Sequence, residues 1–432
     1  MNESLKAVVL AVGSEMLTPT RTDTNSLYIT EVLNGLGIDL AYKAVVGDDR
    51  GEIGAAIAQA LDRHRILILT GGLGPTDDDL TREVVAAHLQ LPLDENSAIV
   101  EAIRARFAAR GIAMPEVNRR QAMVPRGATV IENPRGSAPG LLIERDDRIV
   151  ALLPGPPREM RPMMSGPIAE RLARVAGGRR LLRRALRIAG RSESRVDEQV
   201  SAIYRPWQAA QPRIDTTILA SPGFIELHLS AQVTDMVAGK DALDRAVAAL
   251  ERELGADVVN ATGAPLEQTV GEMLRARRWR IALAESCTGG LATSRLTDIA
   301  GSSDYVERSW VVYSNEAKRD LLGVPDEMLT QHGAVSEPVA KALADGALTR
   351  SGADIAIGIT GIAGPGGGSD QKPVGMVWIA VARREPRDTE ATVCRFLGGR
   401  EMVKTFAAVT AVDLVRRRLI GAPWDIDWIW RR

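Results

Sequence analysis

The chain has 432 residues, 45% of them hydrophobic, which is enough for two to four domains that each bury a core of their own. Its 54 basic and 55 acidic residues leave a formal net charge of −1, so the overall charge favours neither nucleic acid nor an anionic membrane as a partner. No apolar run approaches the ~20 residues that cross a bilayer, and no signal-like segment opens the chain, so we expect a cytoplasmic protein.

The first 90 residues alternate short apolar runs with segments of helical periodicity. Runs rich in Val, Ile and Leu between amphipathic helices predict a parallel sheet covered by helices on both faces. Such sheets bind ligands beyond the carboxyl ends of their strands, here in the loops after Leu10 and Leu69. The predicted strands of this region are 6–13, 38–46, 66–69, 128–131, 140–143 and 149–153, and the predicted helices are 25–36, 50–63 and 78–89.

The composition and the hydrophobic periodicity of the sequence change near residue 177. A basic run at 179–184, a helical segment at 193–204 and an alternating stretch at 223–233 predict a small α+β unit that ends near residue 254. This segment has no GxxG clamp and few aromatic residues, so we interpret its arginines as a solvated strand face and not as an RNA-binding surface.

A second α/β unit begins near residue 264, with no obvious sequence repeat of the first. Its predicted strands are 280–284, 305–313, 354–360, 374–381 and 391–396, and its predicted helices are 266–277, 315–322, 337–348 and 401–419. The last nine residues hold three of the seven tryptophans, Trp424, Trp428 and Trp430. A tail this apolar must dock either on its own chain or on a partner subunit, and we expect it to dock at the subunit interface.

A glycine-rich turn follows the strand at 66–69 and opens a helix. Its backbone amides can approach a phosphate without an intervening side chain, and three successive aspartates suit a hard divalent cation. The alternative is a capping box, because Thr76 and Asp79 have the matching spacing. The candidate residues are Gly71, Gly72, Gly74 and Thr76 for the phosphate, and Asp77, Asp78 and Asp79 for the metal.

The turn at 285–290 places Ser286 and Cys287 where a strand leads into a helix. A nucleophile there lies near backbone amides that can hold an oxyanion, those of Thr288, Gly289 and Gly290. Only seven of the 54 basic residues are lysines, and one of them, Lys318, opens a helix 32 positions after Ser286. Because His332 is the only histidine in this region, Lys318 is the candidate base, with Tyr313 as a relay. The alternative is a capping serine and a solvated helix lysine.

The third glycine-rich segment, 361–368, follows the predicted strand 354–360 and holds five glycines in eight residues. It is either a flexible lid or a backbone cradle, and both interpretations place Gly361 and Gly364 beside a ligand. Downstream, Arg400 at a helix start is suited to bind phosphate.

The motifs of the C-terminal region, taken in series, resemble the CinA C-terminal domain, a family of nicotinamide mononucleotide deamidases. The matching segments are 284–290, 313–318, 332–336, 360–365 and Gly375. The resemblance implies that Ser286, and not Cys287, is the nucleophile, with Tyr313 and Lys318 as partners. It also implies that this domain needs no cofactor and that Thr288, Gly289, Gly290, Gly361, Gly364 and Arg400 bind the substrate.

The N-terminal segments 71–81, 133–140 and 153–155 resemble the CinA N-terminal domain, which is akin to molybdopterin-binding domains and associated with ADP-ribose pyrophosphatase activity. The resemblance implies a divalent metal (Mg, Mn or Co) at Asp77, Asp78 and Asp79. Arg120 stands where a lysine is common, which weakens the pyrophosphatase assignment if that lysine acts chemically.

Together these features predict two three-layer α/β domains, one molybdopterin-binding-like and one deamidase-like, joined by a small KH-like α+β domain. The expected limits are 1–172, 173–258 and 259–420, followed by a tryptophan-rich tail at 421–432. A homodimer is implied, with nicotinamide mononucleotide and ADP-ribose as small-molecule partners and neither membrane nor nucleic acid expected. The alternative function is a non-catalytic molybdopterin- or nucleotide-binding protein, or a competence-associated partner protein.

Overall fold

The computed structural model describes residues 5–430, and the chain divides into two compact units. One unit comprises Met1–Leu182 with Ala231–Lys240, and the other comprises Arg183–Ser230 with Asp241–Arg432. The limits expected for the three domains stay predictions.

The first unit is built on a six-stranded sheet. Its strands, with one short separate pair, are β1 (Lys6–Val12), β2 (Asp39–Val46), β3 (Ile66–Thr70), β4 (Leu93–Glu95), β5 (Met123–Pro125), β6 (Thr129–Ile131), β7 (Gly140–Arg145) and β8 (Arg148–Leu153). The sheet order is β2-β1-β3-β8-β7-β6, while β4 and β5 pair with each other. The first four strands in this order run parallel and the last two are antiparallel additions. Buried Val, Ile and Leu fill β1 and β3 because helices cover both faces.

The helices of this unit are α1 (Asn25–Gly35), α2 (Arg50–Arg63), α3 (Thr81–His88), α4 (Ser97–Ala108), α5 (Pro157–Met163) and α6 (Ala169–Val175). Two hydrophobic clusters lie on opposite faces of the sheet, so the unit has three layers. Helix α3 begins at Thr81, three residues later than predicted, because residues 76–79 form a turn closed by the Asp79 side chain. Helix α4 was not predicted.

The middle segment of the chain forms a small α+β arrangement, as expected. Its elements are β9 (Arg180–Ala189), α7 (Glu193–Tyr204), β10 (Asp215–Ser221), β11 (Phe224–Val233), α8 (Met236–Leu254) and β12 (Val258–Asn260), with sheet order β10-β11-β9-β12. The β-α-β-β-α-β element order is that of a split βαβ arrangement. Arg184 and Arg187 of β9 form ion pairs with Asp244 and Glu226, as suits a polar strand face.

The C-terminal region contains a second three-layer α/β arrangement. Its elements are α9 (Leu266–Arg277), β13 (Ile281–Glu285), α10 (Leu291–Thr297), β14 (Val306–Val311), α11 (Asn315–Leu322), α12 (Asp326–His332), α13 (Glu337–Ser351), β15 (Ile355–Gly361), β16 (Met376–Arg383), β17 (Asp388–Arg395) and α14 (Arg400–Leu419). The sheet order is β14-β13-β15-β16-β17, with the first three strands parallel and the last two antiparallel.

Helices cover both faces of this sheet. Helix α13 packs on one face, while α9, α10 and α14 belong to the cluster on the other. The predicted fold class, two three-layer α/β domains with a small α+β part between them, is therefore confirmed. Within residues 5–430, no helix combines the length and apolarity of a membrane span.

The tryptophan-rich tail docks on its own chain. Main-chain hydrogen bonds join Arg395 N–H to the Trp428 carbonyl and Trp430 N–H to the Val393 carbonyl, both 2.9 Å, so the tail pairs with the edge of β17. Trp424 is 8% exposed and belongs to the core cluster on the α14 face. Of the two docking alternatives, the structure shows the one within the chain, because β17 offers an unpaired edge to it.

Replacing a buried tryptophan of the tail should therefore destabilise the C-terminal α/β region. We expect Trp424→Ala to lower the free energy of unfolding by about 3 kcal/mol, since it removes a buried indole and leaves a cavity. Trp430→Ala is the matched control, because Trp430 is partly exposed, the Arg395 guanidinium lies over its ring, and its backbone hydrogen bond survives the change. Thermal unfolding of both variants measures the difference, and equal losses would contradict the docking described here.

Candidate active site in the C-terminal domain

Ser286 lies immediately after β13, at the carboxyl edge of the three parallel strands. Its backbone N–H donates to the carbonyl of Ile359 on β15 (3.0 Å), which fixes the start of the turn. The turn closes through Gly289 and Gly290, with φ values of +63° and +92°, a left-handed conformation that glycine adopts without a steric penalty. The turn therefore leads directly into α10 with Ser286 at its base.

Lys318 meets Ser286 from the first turn of α11, as predicted from the sequence. Its Nζ lies 3.2 Å from the Ser286 Oγ. The same nitrogen donates to the carbonyls of Val312 (2.9 Å), Tyr313 (3.0 Å) and Ser314 (3.4 Å). Lys318 is 1% exposed and Ser286 is 7% exposed, so the pair is shielded from water.

Burial changes the acid–base behaviour of Lys318. Loss of hydration disfavours the charged ammonium, and it lowers the pKa of Lys318 below the usual range of a lysine. Cys287 and Glu316 oppose this shift electrostatically and raise the pKa, although in residues 5–430 no carboxylate forms a direct ion pair with the ammonium. The alternative of a solvated helix lysine is therefore wrong.

Glu285, the last residue of β13, is a functional residue that the sequence reasoning missed. Its carboxylate is fully buried and accepts hydrogen bonds from the backbone amides of Gly290 (3.1 Å), Ala292 (3.1 Å) and Thr293 (2.8 Å). It thereby satisfies amides at the start of α10 that have no partner within the helix. The signal was an acid at the end of an otherwise apolar strand, where acids are rarely buried.

These hydrogen bonds change which backbone amides of the turn are available to hold an oxyanion. The Gly290 amide is committed to Glu285, and the Gly289 amide donates to the Ser286 carbonyl (3.1 Å). In the described part of the chain, the amides of Cys287 and Thr288 have no hydrogen-bond acceptor. The Thr288 hydroxyl is also buried without a partner. The unsatisfied donors of the turn thus lie directly after Ser286.

Cys287 differs sharply from its neighbour Ser286. Burial raises the pKa of the Cys287 thiol to about 12, and the nearby Glu285 carboxylate acts in the same direction. A thiol with so high a pKa holds almost no nucleophilic thiolate near neutrality. Its side chain belongs instead to the hydrophobic cluster under the sheet.

Tyr313 contacts the pair through its backbone and not through its ring. Its side chain is 61% exposed, and its hydroxyl accepts a hydrogen bond from Arg400 (3.1 Å). Arg400 also donates to the carbonyl of Gly364 in the glycine-rich loop (2.8 Å). The structure therefore brings Tyr313, Arg400 and Gly364 together at the rim, while Gly361 lies within β15 opposite Val377.

A cavity of about 540 Å³ lies at the carboxyl ends of the parallel strands in the N-terminal unit. It has a volume typical of small-molecule sites. The glycine turn contributes Gly71, Gly72 and Gly74 to its wall, and the Gly71 amide is itself bonded to the Leu153 carbonyl (3.0 Å). Cationic side chains on the cavity wall are Arg106, Arg110, Arg135 and Arg158.

The three aspartates after this turn point to different partners. Asp79 accepts from the backbone and hydroxyl of Thr76, the capping arrangement. Asp77 is fully exposed and pairs with Arg120 (2.9 Å), while Asp78 and Asp79 line the cavity. In residues 5–430, no three carboxylate, histidine or cysteine side chains are grouped to hold a metal ion. As arranged, the trio does not fit the three-aspartate metal site expected from the sequence.

The N-terminal and C-terminal regions of the chain match two different protein families. The family described as "CinA C-terminal domain" matches residues 263–419, and "Probable molybdopterin binding domain" matches residues 8–174.

Similar proteins match along almost the whole chain. A CinA-like protein of Koribacter versatilis is 44% identical over 422 residues, which cover 96% of this chain and 100% of the relative. A competence-damage inducible protein of Symbiobacterium thermophilum is 43% identical over 425 residues, covering 96% and 99%. Among solved structures, the competence/damage inducible protein CihA of Agrobacterium tumefaciens is 42% identical, covering 36% of this chain and 93% of its own, with a TM-score of 0.35.

Proposed function

The chain belongs to the CinA family, and on this premise we propose that its C-terminal domain is a hydrolase for nicotinamide mononucleotide. The reaction converts the nucleotide and water into nicotinic acid mononucleotide and ammonia. The observation that carries the proposal is the buried contact of 3.2 Å between the Lys318 Nζ and the Ser286 Oγ. A pyridine nucleotide salvage role follows from this chemistry.

The first step is attack by Ser286 on the carboxamide carbon. Neutral Lys318 accepts the hydroxyl proton as the bond from Oγ to carbon forms, and the carbonyl oxygen becomes an oxyanion. We assign the oxyanion to the Cys287 and Thr288 amides, because the Gly289 and Gly290 amides already have acceptors. The cationic pyridinium ring withdraws electrons from the carboxamide, so a hydroxyl is a sufficient nucleophile.

The remaining steps return the enzyme to its starting state. Protonated Lys318 gives its proton to the departing nitrogen, the carbon–nitrogen bond breaks, and ammonia leaves an acyl ester on Ser286. Lys318 then accepts a proton from water as the water oxygen attacks the ester carbon. The bond from that carbon to the Ser286 Oγ breaks, Lys318 returns the proton to Oγ, and nicotinic acid mononucleotide is released. Each step uses one proton that moves between Lys318 and a reacting atom, and none requires a cofactor.

The pH dependence of the reaction should report Lys318. The base must be neutral, so kcat/KM rises with pH and is lost as pH falls through the pKa of Lys318. Because burial lowers that pKa, we expect the midpoint of the acid limb below the ~10.4 of a free lysine. Lys318→Arg, which keeps its charge at every accessible pH, should be inactive. A pH-independent rate in the folded enzyme would contradict the base assignment.

Two neighbouring substitutions separate the nucleophile from a packing residue. Ser286→Ala should lower kcat at least ~1,000-fold, because it removes the atom that forms the acyl ester. Cys287→Ala should keep kcat within about threefold and cost ~1 kcal/mol of stability, because this thiol only packs in the core. Ammonia release and thermal unfolding are measured for both. A dead Cys287→Ala with an active Ser286→Ala would make the enzyme a thiol hydrolase.

We further propose that the N-terminal cavity binds a nucleoside diphosphate such as ADP-ribose. Its support is a cavity of about 540 Å³ whose wall combines the glycine turn with four arginines. The same wall carries five acidic residues, Glu15, Asp48, Asp78, Asp79 and Glu159, so the arginines and not the net charge are the basis of the proposal. Cleavage of ADP-ribose with Mg²⁺, Mn²⁺ or Co²⁺ stays a prediction from the resemblance. A metal there would require Asp77 and Asp79 to exchange their present partners, Arg120 and Thr76.

Substitutions of two arginines from the same part of the chain, Arg104 and Arg110, test this second proposal. Arg110 lines the cavity, whereas Arg104 on α4 pairs with Glu101 outside it. We expect Arg110→Gln to weaken ADP-ribose binding ~10-fold by calorimetry and Arg104→Gln to leave it unchanged. Equal affinities in the two variants, or no binding by the native chain, would contradict the proposal. Adding each metal to the same samples and assaying AMP distinguishes a pyrophosphatase from a binding domain.

A further inference from the structure

Lys404 on α14 differs from the other lysines of the C-terminal domain. Lys318 donates to Ser286, Lys341 pairs with Glu337, and Lys372 donates to the His332 carbonyl (2.7 Å). In the part of the chain from residue 5 to residue 430, Lys404 has neither an ion-pair partner nor a hydrogen-bond acceptor. It is nevertheless only partly exposed, so an uncompensated positive charge lies close to the protein surface.

This charge faces the turn that carries Ser286. A Cβ atom built on Gly289 would lie 3.7 Å from the Lys404 Nζ, and one built on Gly290 would lie 3.5 Å from Val311. Both distances are ordinary van der Waals contacts, so the two glycines leave bare backbone between an ammonium and an apolar side chain. An anion bound over this backbone has Lys404 as its direct neighbour.

Arg400, one helical turn before Lys404, is less available to a ligand. Its Nη1 donates to the Gly364 carbonyl (2.8 Å) and its Nη2 donates to the Tyr313 hydroxyl (3.1 Å). The guanidinium therefore joins the glycine-rich loop to Tyr313 and is a positioning group in this arrangement. The uncommitted cation on this stretch of α14 is Lys404.

We propose that Lys404 binds the 5′-phosphate of the nucleotide substrate and makes the site selective for phosphorylated substrates. This inference rests on the proposed deamidase function, because the substrate's carboxamide must lie at Ser286. The ammonium lies beside Gly289, three positions along the chain from the nucleophile, so the turn serves both ends of one small molecule. Arg400 then holds the loop and Tyr313 in place around it.

A kinetic comparison tests the assignment in the full chain. Lys404→Gln should raise KM for nicotinamide mononucleotide by about 10- to 100-fold and keep kcat within about threefold, because it removes one charged contact to phosphate. Lys404→Arg should restore most of the affinity. Nicotinamide riboside, which lacks the phosphate, should be turned over equally by the native chain and Lys404→Gln. The matched control is Lys341→Gln, whose lysine pairs with Glu337 on the surface of α13.

A binding measurement keeps this inference separate from the proposed function. Calorimetry with ribose 5-phosphate and with ribose compares the native chain with Lys404→Gln. Loss of the preference for ribose 5-phosphate in Lys404→Gln supports the phosphate site, even if nicotinamide mononucleotide is not turned over and the deamidase proposal fails. An unchanged preference overturns the inference, as does a fall in kcat without a change in KM, which would indicate a structural role for Lys404.

Discussion

The burial of one ammonium group constrains the candidate active site of the C-terminal domain more than any other feature. An ammonium removed from water must be satisfied by hydrogen bonds or lose its proton. Lys318 is surrounded by three backbone carbonyls and the Ser286 hydroxyl, and among residues 5–430 no carboxylate forms a direct ion pair with it. Burial lowers the pKa of Lys318, and the electrostatic effects of Cys287 and Glu316 oppose this shift without cancelling it. The lowered pKa makes the neutral form of Lys318, which the proposed base role requires, more accessible than in a free lysine.

The buried carboxyl group of Glu285 is bonded to backbone amides and not to Lys318. The carboxylate is directed to the amides of Gly290, Ala292 and Thr293, and so it holds the turn and the first turn of α10 as one unit. A carboxylate bonded to Lys318 would raise the pKa of the lysine and oppose the base role proposed for it. By capping the helix, Glu285 orders the turn around Ser286 and leaves the lysine free to give up its proton.

Much of the fold and the central pair could be predicted from the sequence. Periodic apolar runs locate the parallel strands, and the scarcity of lysine singles out Lys318. Helix α4 and strand β10 have no comparably distinct pattern, and their positions depend on packing against distant parts of the chain. The partners of Asp77 and Tyr313 could not be predicted either. Arg120 and Arg400 are 43 and 87 positions away from them, and only the folded chain brings them within hydrogen-bond distance.

The two glycine turns after buried strands show why similar sequence signals have different physical causes. At Gly72, a Cβ would lie 2.2 Å from the Thr81 Oγ1, so glycine is required there for close packing of the turn against the start of α3. At Gly289, the nearest atom to a Cβ is the Lys404 Nζ at 3.7 Å, so space is available and only the left-handed backbone requires glycine. The first turn packs against the start of α3 and also lines the N-terminal cavity, whereas the second leaves its backbone beside Ser286 and Lys404. Both turns can therefore lie beside a ligand, but a side chain at Gly72 is disfavoured by packing and by its φ of +65°, whereas a side chain at Gly289 is disfavoured by its φ of +63° alone.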